Sequence, residues 1–299
     1  MAQTLAIVGA GRVGRALGRR LGELGWRIGA VITRSEATAR AAVRAMRRGQ
    51  AHGALTRQVL TADLVLVATP DRELRGVALG LAQIGGEEWR GKVVLHTSGA
   101  MDSSVLDPLA KLGASVGSLH PLQTFSGKSV PPVEGVIFSV EGSRRALRSA
   151  RQIVRTLGGA AVKLESRHKP AYHAAGAFAA GHTLALMEAA ARILLSIGFN
   201  RRQASQGLLS LVRQMLDNFE RFGPSVAWTG PLSRGDYETV ALHTSALSEF
   251  PPEYQQAYEA LSRLAAVVLA REPEQMMREL DAIFAGARAA RACGGTEKQ

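Results

Sequence analysis

The first half of the chain alternates short apolar runs with segments of helical periodicity. The apolar runs predict strands at residues 4–8, 27–32, 63–68, 92–95 and 114–118. Strands that alternate with helices form a parallel sheet covered on both faces. Residues 135–140 and 160–164 are expected to extend this sheet, around a helix at 143–157.

The pattern changes after Glu165, because no convincing strand follows. Helical periodicity covers residues 170–197, 200–222, 236–248, 252–270 and 272–290. We therefore predict an α/β domain over residues 1–165 and an all-α domain over residues 166–299.

Composition narrows the class of protein. No run of about 18 uninterrupted apolar residues occurs, so no membrane span is expected. The N-terminus has no basic leader and reads as a first strand. The single cysteine, Cys293, fits a reducing compartment, so we predict a soluble cytoplasmic protein.

The formal net charge of +12 raises the question of an anionic partner. Most of the arginines are scattered at helical spacing, whereas a nucleic-acid binder concentrates its charge in one stripe. We therefore predict no nucleic-acid partner. The charge is either a solvated surface or an attraction for small anionic ligands.

Gly9, Gly11 and Gly14 form a G-x-G-x-x-G motif that follows an apolar strand and opens a helix. In that context the motif predicts a Rossmann domain, with Gly9 in a tight turn, Gly11 beside a pyrophosphate and Gly14 packing helix on strand. The intervening Arg12 and Val13 belong to the same predicted cofactor site.

Thr33, Arg34 and Ser35 follow the second strand, where NAD sites usually place an acidic residue. Arg34 and two hydroxyls can bind a ribose phosphate, so we predict NADP as the cofactor. Glu36 is expected to be the first helical residue and to point elsewhere. The alternative is that Arg34 is a solvated loop arginine.

Two further loops follow strands at the same predicted sheet edge. We expect them to border the cofactor through Thr69, Pro70, Asp71, Thr97 and Ser98. Asp71 could equally be a helix cap.

Three polar segments supply candidate reaction groups. His120 and Gln123 follow a strand at the ligand edge, although a structural histidine is an equal alternative. Lys169 and His173 lie one turn apart at the start of a helix and are predicted to be catalytic. Small residues one turn on leave room for a ring or another helix.

Arg234 lies in a loop before a helix that Asp236 is expected to cap. Thr239 and His243 follow one turn apart, and Arg234 could clamp a substrate carboxylate. Alternatively, Arg234 and Asp236 only lock the loop. No metal site is predicted.

Five ordered motifs resemble those of a group of bacterial proteins that pair a Rossmann-like domain with a helical C-terminal domain of unknown function. They are the glycine motif at 9–14, HTSGA at 96–100, SLHPLQTF at 118–125, KPAYHAA at 169–175 and TGPLSRGD at 229–236. The resemblance covers nearly the whole chain. It implies an NADP-dependent oxidoreductase distantly similar to ketopantoate reductase, pyrroline-5-carboxylate reductase, prephenate dehydrogenase and the 3-hydroxyacid dehydrogenases. Lys169 matches the ketopantoate reductase lysine, but His173 and Ala177 replace the expected asparagines.

The sequence therefore predicts hydride transfer between NADP and a small carboxylate-bearing oxo or hydroxy acid, or an imine. Lys169 or His173 would act as general acid. A redox-sensing protein that binds NADP without turnover, and electron exchange with a second cofactor such as a deazaflavin, are the alternatives. A homodimer through the helical domain is expected.

Overall fold

The structure is a computed structural model that describes the backbone of residues 3–294 and the side chains of residues 3–286. Cys293, which supports the prediction of a reducing compartment, lies outside the described side chains.

Eight strands form one sheet in the order β3-β2-β1-β4-β5-β6-β7-β8. Their bounds are β1 Thr4–Val8, β2 Arg27–Ile32, β3 Gln50–His52, β4 Leu64–Val67, β5 Val93–His96, β6 Ser115–Pro121, β7 Ile137–Gly142 and β8 Ala160–Lys163. The first six strands have the Rossmann order, and the chain reverses direction across the sheet between β1 and β4. The sequence pattern missed β3, which has only three residues.

The sheet is parallel from β3 to β6, but β7 runs antiparallel to β6 and parallel to β8. The prediction of a parallel sheet is therefore wrong at this one junction. A parallel neighbour needs a crossover that carries the chain back to the starting edge. The described segment 122–136 contains no helix and enters β7 from the edge where β6 ends.

Both faces of the sheet are buried. Leu5 and Ile7 belong to the core on one face, and Ala6 and Val8 belong to the core on the other. This alternation explains why the strands read as nearly continuous apolar runs. The helices of this region are α1 Arg12–Glu23, α2 Glu36–Met46, α3 Asp71–Gly85, α4 Asp107–Ala110, α5 Arg144–Thr156 and α6 Lys169–Ala177.

The chain divides into two compact units, residues 1–182 and residues 183–299. The first unit therefore includes α6, which begins after the domain boundary predicted at residue 165. A π-helical turn, Phe178–His182, ends this unit and changes the phase of the helix. The ring of His182 lies edge-on to Phe178, with centroids 5.1 Å apart.

The second unit is helical, as predicted. Its helices are α7 Thr183–Ser196, α8 Arg201–Phe222, α9 Pro224–Ala227, α10 Pro231–Arg234, α11 Tyr237–Ala246, α12 Pro252–Leu269 and α13 Pro273–Gly294. A small core joins α11, α12 and α13 around Val240, Ala266 and Phe284.

The helices α7 and α8 bury very little. Only Ala191 in α7 and Ala204 in α8 are buried within the chain. The helical run Ser166–Ser196 is also long and apolar enough to cross a membrane, although one such helix is weak evidence. The sequence prediction of no membrane span considered only uninterrupted apolar runs and did not register this segment.

Candidate functional site

The glycine motif forms a backbone cradle after β1. A Cβ atom on Gly14 would lie 2.4 Å from the carbonyl oxygen of Gly9, so only glycine lets α1 pack this close to the strand. Gly9 has φ of +87°, and a Cβ there would lie 2.7 Å from the backbone of Ala68 and Thr69. Gly11, in contrast, faces open space. This arrangement suits the close approach of a pyrophosphate to the backbone.

A cavity of about 770 Å³ lies beside this cradle, at the carboxyl ends of β1, β2 and β4. Seven predicted cofactor residues line it: Gly9, Gly11, Thr33, Arg34, Ser35, Thr69 and Pro70. Six others are not among its lining residues: Arg12, Val13, Gly14, Asp71, Thr97 and Ser98.

The part of the cavity next to the end of β2 is rich in hydroxyl groups. Ser35 caps α2, because its side chain accepts a hydrogen bond from the backbone N–H of Thr38. The Thr33 and Thr38 hydroxyls lie 2.6 Å apart. Arg34 is exposed and forms no ion pair with the described residues. Glu36 begins α2 and pairs with Arg40 at 3.0 Å, so its charge is engaged away from Arg34, as predicted.

One buried polar atom supports the presence of a ligand in this cavity. The hydroxyl oxygen of Thr69 is buried without a hydrogen-bond partner among the described residues. A buried hydroxyl normally has a partner, so this atom fits a polar ligand group. Asp71 does not cap α3, because the helix begins at Asp71 itself and Pro70 occupies the cap position.

Further along the same edge, Lys169 lies inside the protein. Its side chain is fully buried, and the ammonium donates to the carbonyl oxygen of Ser98 at 3.0 Å and to the hydroxyl of Ser118 at 2.9 Å. Lys169, which the sequence predicted to be catalytic, therefore faces the protein interior and not a ligand-accessible surface. As the first residue of α6, it joins the helix to the loop after β5 and to strand β6, all within the first unit.

Glu141 on β7 supplies the balancing charge. It accepts hydrogen bonds from the Ser118 hydroxyl at 3.2 Å, the Ser103 hydroxyl at 2.6 Å and the Ser166 hydroxyl at 3.0 Å. Burial lowers the pKa of Lys169, and the charge of Glu141 opposes this shift. Ser118 thus bridges a buried cation and a buried carboxylate.

The loop after β5 is fixed by a second buried group, His96. Its Nδ1 accepts a hydrogen bond from the N–H of Ser98 at 3.2 Å, and its Nε2 lies 3.1 Å from the carbonyl oxygen of Asp102. Burial, assisted by the nearby Lys169 charge, lowers the pKa of His96 to about 4. The Ser98 hydroxyl accepts from the N–H of Met101 at 2.9 Å, so this predicted cofactor residue is engaged in its own turn.

His120, Tyr172 and His173 form a cluster beside this loop. The Nδ1 atom of His120 lies 3.0 Å from the Tyr172 hydroxyl, and its ring centroid lies 5.9 Å from that of His173. Burial first, and then the charge of Lys169, lower the pKa of His120 to about 4, so its ring is neutral at pH 7. His173 is exposed and accessible to a ligand.

The remaining predicted substrate residues lie elsewhere in the described structure. The Gln123 side chain accepts from the N–H of Thr124 and is exposed. In the second unit, Asp236 caps α11 as predicted and binds the Thr239 hydroxyl at 2.8 Å. His243 lies 2.9 Å from the Tyr258 hydroxyl, and Arg234 is exposed without an ion pair to a described residue.

Several side chains of these clusters were not predicted, among them Thr38, His96, Ser118, Glu141 and Tyr172. The sequence could have indicated Thr38 and Tyr172, because each lies within one helical turn of a predicted site residue. It did not indicate Glu141, since a lone acidic residue near a strand end usually indicates a solvated surface.

These features define an α/β protein of the Rossmann type with a helical second unit. A family model described as a Rossmann-like domain matches residues 2–121, and the domain of unknown function DUF2520 matches residues 136–265. The two matches lie one after the other along the chain, which is the pairing that the resemblance of the five motifs implied. A search of curated proteins finds no match.

Solved structures share the fold. A provisionally assigned NADP oxidoreductase of Bacteroides fragilis is 23% identical, with a TM-score of 0.72 over 88% of this chain and 97% of that one. Protein TM1727 of Thermotoga maritima is 25% identical, with a TM-score of 0.65 over 92% and 99%. A pyrroline carboxylate reductase of Plasmodium falciparum, solved with NADP bound, is 10% identical, with a TM-score of 0.56 over 96% and 97%.

Proposed function

We propose that this protein is an NADP-dependent oxidoreductase that transfers hydride to or from a small carboxylate-bearing oxo or hydroxy acid, or an imine. The observation that carries the proposal is the arrangement along one sheet edge of the first unit. The glycine cradle and its cavity follow β1, β2 and β4, and the histidine cluster borders β5 and β6. A dinucleotide in the Rossmann orientation extends from the first of these regions toward the second.

The preference for NADP rests on the end of β2. Arg34 has no carboxylate partner among the described residues and adjoins the Thr33 and Ser35 hydroxyls in the cavity lining. A phosphate can accept charge-assisted hydrogen bonds from such a group. The acid next along the chain, Glu36, is already paired with Arg40, and Glu73, which also lines the cavity, is paired with Arg72.

When bound, NADP supplies or accepts the hydride, and the protein must supply the proton. Of the two predicted acids, we favour His173, because Lys169 is buried and committed to Ser98 and Ser118. His120, whose Nδ1 lies 3.0 Å from the Tyr172 hydroxyl, packs edge-on against the His173 ring. Arg234 stays our candidate for binding the substrate carboxylate.

The first test measures binding and turnover separately. Intrinsic fluorescence titrations should show tighter binding of NADPH than of NADH, and equal affinities would contradict the cofactor assignment. A panel of 2-oxo acids and carboxylated cyclic imines, followed by NADPH absorbance, should then identify a substrate. Binding without any turnover would favour the redox-sensing alternative.

A variant pair tests the proton donor. His173→Gln should lower turnover by about two to four decades and leave NADPH affinity nearly unchanged. His182→Gln is the matched control, because His182 is also exposed but contacts Phe178 outside the cluster. Equal turnover in the two variants would refute the role of His173.

We further propose that the second unit pairs with a second copy of the chain. Along α8, Leu208, Val212, Met215, Phe219 and Phe222 recur at alternating spacings of four and three, which is the spacing of a helix–helix seam. Phe219 is 54% exposed and Phe222 is 58% exposed. A monomer rarely exposes so large an apolar stripe, whereas a symmetric dimer buries the same stripe from both copies.

Sedimentation tests this assembly. The protein should sediment as a species of twice the chain mass of 31.7 kDa, and Phe219→Asp should shift it toward monomer. Gln206→Asp adds the same charge to the same helix outside the seam and should leave the dimer intact. A monomeric wild-type protein, or one that sediments only with lipid vesicles, would contradict the proposal.

A further inference from the structure

Lys169 forms a hydrogen bond with one backbone peptide group, the one between Ser98 and Gly99. Its ammonium donates to the carbonyl oxygen of Ser98, and that carbonyl belongs to the same peptide group as the N–H of Gly99. The described chain contains no cis peptide, so the carbonyl and the N–H of this group point in opposite directions. The N–H of Gly99 therefore points away from Lys169.

The N–H of Gly99 has no partner in the described structure. Ser98 donates to His96, and Ala100 and Met101 both donate to the Ser98 hydroxyl, but no described acceptor receives the N–H between them. Gly99 is nevertheless buried. Buried backbone N–H groups almost always have a partner, so an unpaired one requires an explanation.

The surroundings of Gly99 belong to the candidate reaction site. A Cβ atom at this position would lie 2.6 Å from the His173 ring and 2.8 Å from Nε2 of His120. Glycine is thus the only residue that fits without moving the two histidines. The unpaired donor and the proposed proton donor lie on neighbouring groups.

A cation on the carbonyl side strengthens the donor on the other side. Hydrogen bonds that share a peptide group polarise one another, and a charged donor does so more than a neutral one. The link from Lys169 through Ser118 to Glu141 also fixes the ammonium in position. The orientation of the N–H is therefore set before any ligand binds.

We propose that the Gly99 N–H, oriented and polarised by the positioning residue Lys169, donates a hydrogen bond to a carbonyl-type oxygen of the bound ligand. This inference rests on the proposed function. The oxygen belongs either to the carboxamide of the cofactor or to a carboxylate of the substrate. Lys169 then supports the reaction through the backbone and not as the acid.

Selective labelling makes this donor directly observable. Only two Ser–Gly peptides occur in the chain, Ser98–Gly99 and Ser126–Gly127, so ¹³C-serine with ¹⁵N-glycine gives two peptide signals by NMR. Addition of NADPH should move the Gly99 proton downfield if the cofactor carboxamide is the acceptor. The phosphorylated ADP-ribose fragment without nicotinamide should not do so. A shift that appears only when pyruvate is added to the NADPH complex assigns the acceptor to a substrate carboxylate.

One experimental result would overturn this inference, and a different result would overturn the proposed function. If NADPH binds by fluorescence but neither NADPH nor pyruvate shifts the Gly99 proton, the donor role is overturned and the cofactor site stands. If wild-type protein does not bind NADPH, the proposed function itself is overturned.

A variant tests the positioning role of Lys169. Lys169→Met keeps the length of the side chain but removes the charge, and it should reduce the ligand-induced Gly99 shift and weaken binding of that ligand about threefold to tenfold. Lys163→Met is the control at an exposed lysine of β8. An unchanged Gly99 shift in a folded Lys169→Met protein would overturn the role. If that variant does not fold, the wild-type titration still decides whether Gly99 is a donor.

Discussion

The carboxyl edge of the sheet is built in two different ways along its length. Near β1, β2 and β4 it consists of backbone, glycines and short hydroxyl side chains around an open cavity of about 770 Å³. Near β5, β6 and β7 the same edge is filled by Lys169, Glu141 and His96, all buried and hydrogen-bonded. We call these regions the open half and the filled half.

The difference shows how one edge can perform two tasks. The open half can approach a phosphorylated ligand closely because it has few side chains to displace. The filled half places charge beneath the surface, where the field of a charged group is less screened than in water. It can therefore orient the groups above it, namely the Ser98–Gly99 peptide and the His120 ring. Each prediction below changes one half and leaves the other as its internal control.

The largest effect of a change in a single group is expected when the filled half loses its carboxylate. Glu141→Ala would leave the buried Lys169 cation without its balancing charge and would remove the acceptor of three serine hydroxyls. Lys169 and Glu141 are linked through Ser118 and not in direct contact, so the loss should be at or below the about 3–5 kcal/mol typical of breaking a direct buried ion pair. Urea denaturation should show this loss in the free energy of unfolding.

Glu141→Gln is the matched control, because it keeps the size and one acceptor oxygen but removes the charge. We expect it to be destabilised less than Glu141→Ala. If neither variant loses stability, the filled half is not held together by its charges and the contrast between the two halves fails.

The second effect is a dependence of stability on pH in the filled half. The pKa values of His96 and His120 are about 4 in the folded protein, against 6.5 in the reference state. Between these values the unfolded state binds more protons, so the stability from each neutral ring is complete above pH 6.5 and is lost as the pH falls toward 4. Each ring contributes about 3 kcal/mol over this window, at about 1.4 kcal/mol per pH unit.

Unfolding free energies measured between pH 4 and pH 7 test this dependence. His120→Asn removes one of the two titrating rings and should reduce the slope by about half in this window. If the stability of the wild-type protein is constant from pH 7 down to pH 5, burial does not lower the pKa values of these two rings.

The two halves also differ in how well the sequence predicted them. The glycines at 9, 11 and 14 predicted the open half, because a turn with positive φ and a close helix–strand contact both require glycine at fixed spacing. The order of apolar runs similarly predicted all strands except β3. These features depend on local backbone geometry, which a short stretch of sequence determines.

The filled half depends on contacts between distant residues. Lys169 and Ser98 are 71 positions apart, and Ser118 and Glu141 are 23 apart. Their meeting requires β7 to lie antiparallel beside β6, and the sequence pattern had suggested a parallel sheet. The helical spacing of Lys169 and His173 was correct but did not indicate that the lysine turns inward.

A smaller effect is expected from a charge reversal in the open half. Arg34→Asp places a negative charge beside the proposed ribose phosphate and should reduce the preference for NADPH over NADH by about tenfold to a hundredfold. Fluorescence titration with both cofactors measures this ratio. Arg44→Asp makes the same change of charge at the other end of α2 and should preserve the preference. An equal loss in both variants would indicate general electrostatic attraction and not a specific contact.

The smallest effect is expected from the one orphaned hydroxyl of the open half. Thr69→Val keeps the shape of the side chain but removes the buried oxygen that has no described partner. Because that oxygen makes no hydrogen bond in the free protein, its loss should leave the free energy of unfolding unchanged or slightly raised. A hydrogen bond to NADPH would be lost, so affinity should fall about twofold to tenfold. Thr156→Val is the control at a partly exposed position of α5, where the hydroxyl already donates to the carbonyl of Gln152. A Thr69→Val protein that loses stability but binds NADPH normally would mean that the hydroxyl serves the fold, and the open half would then lack its clearest sign of a ligand.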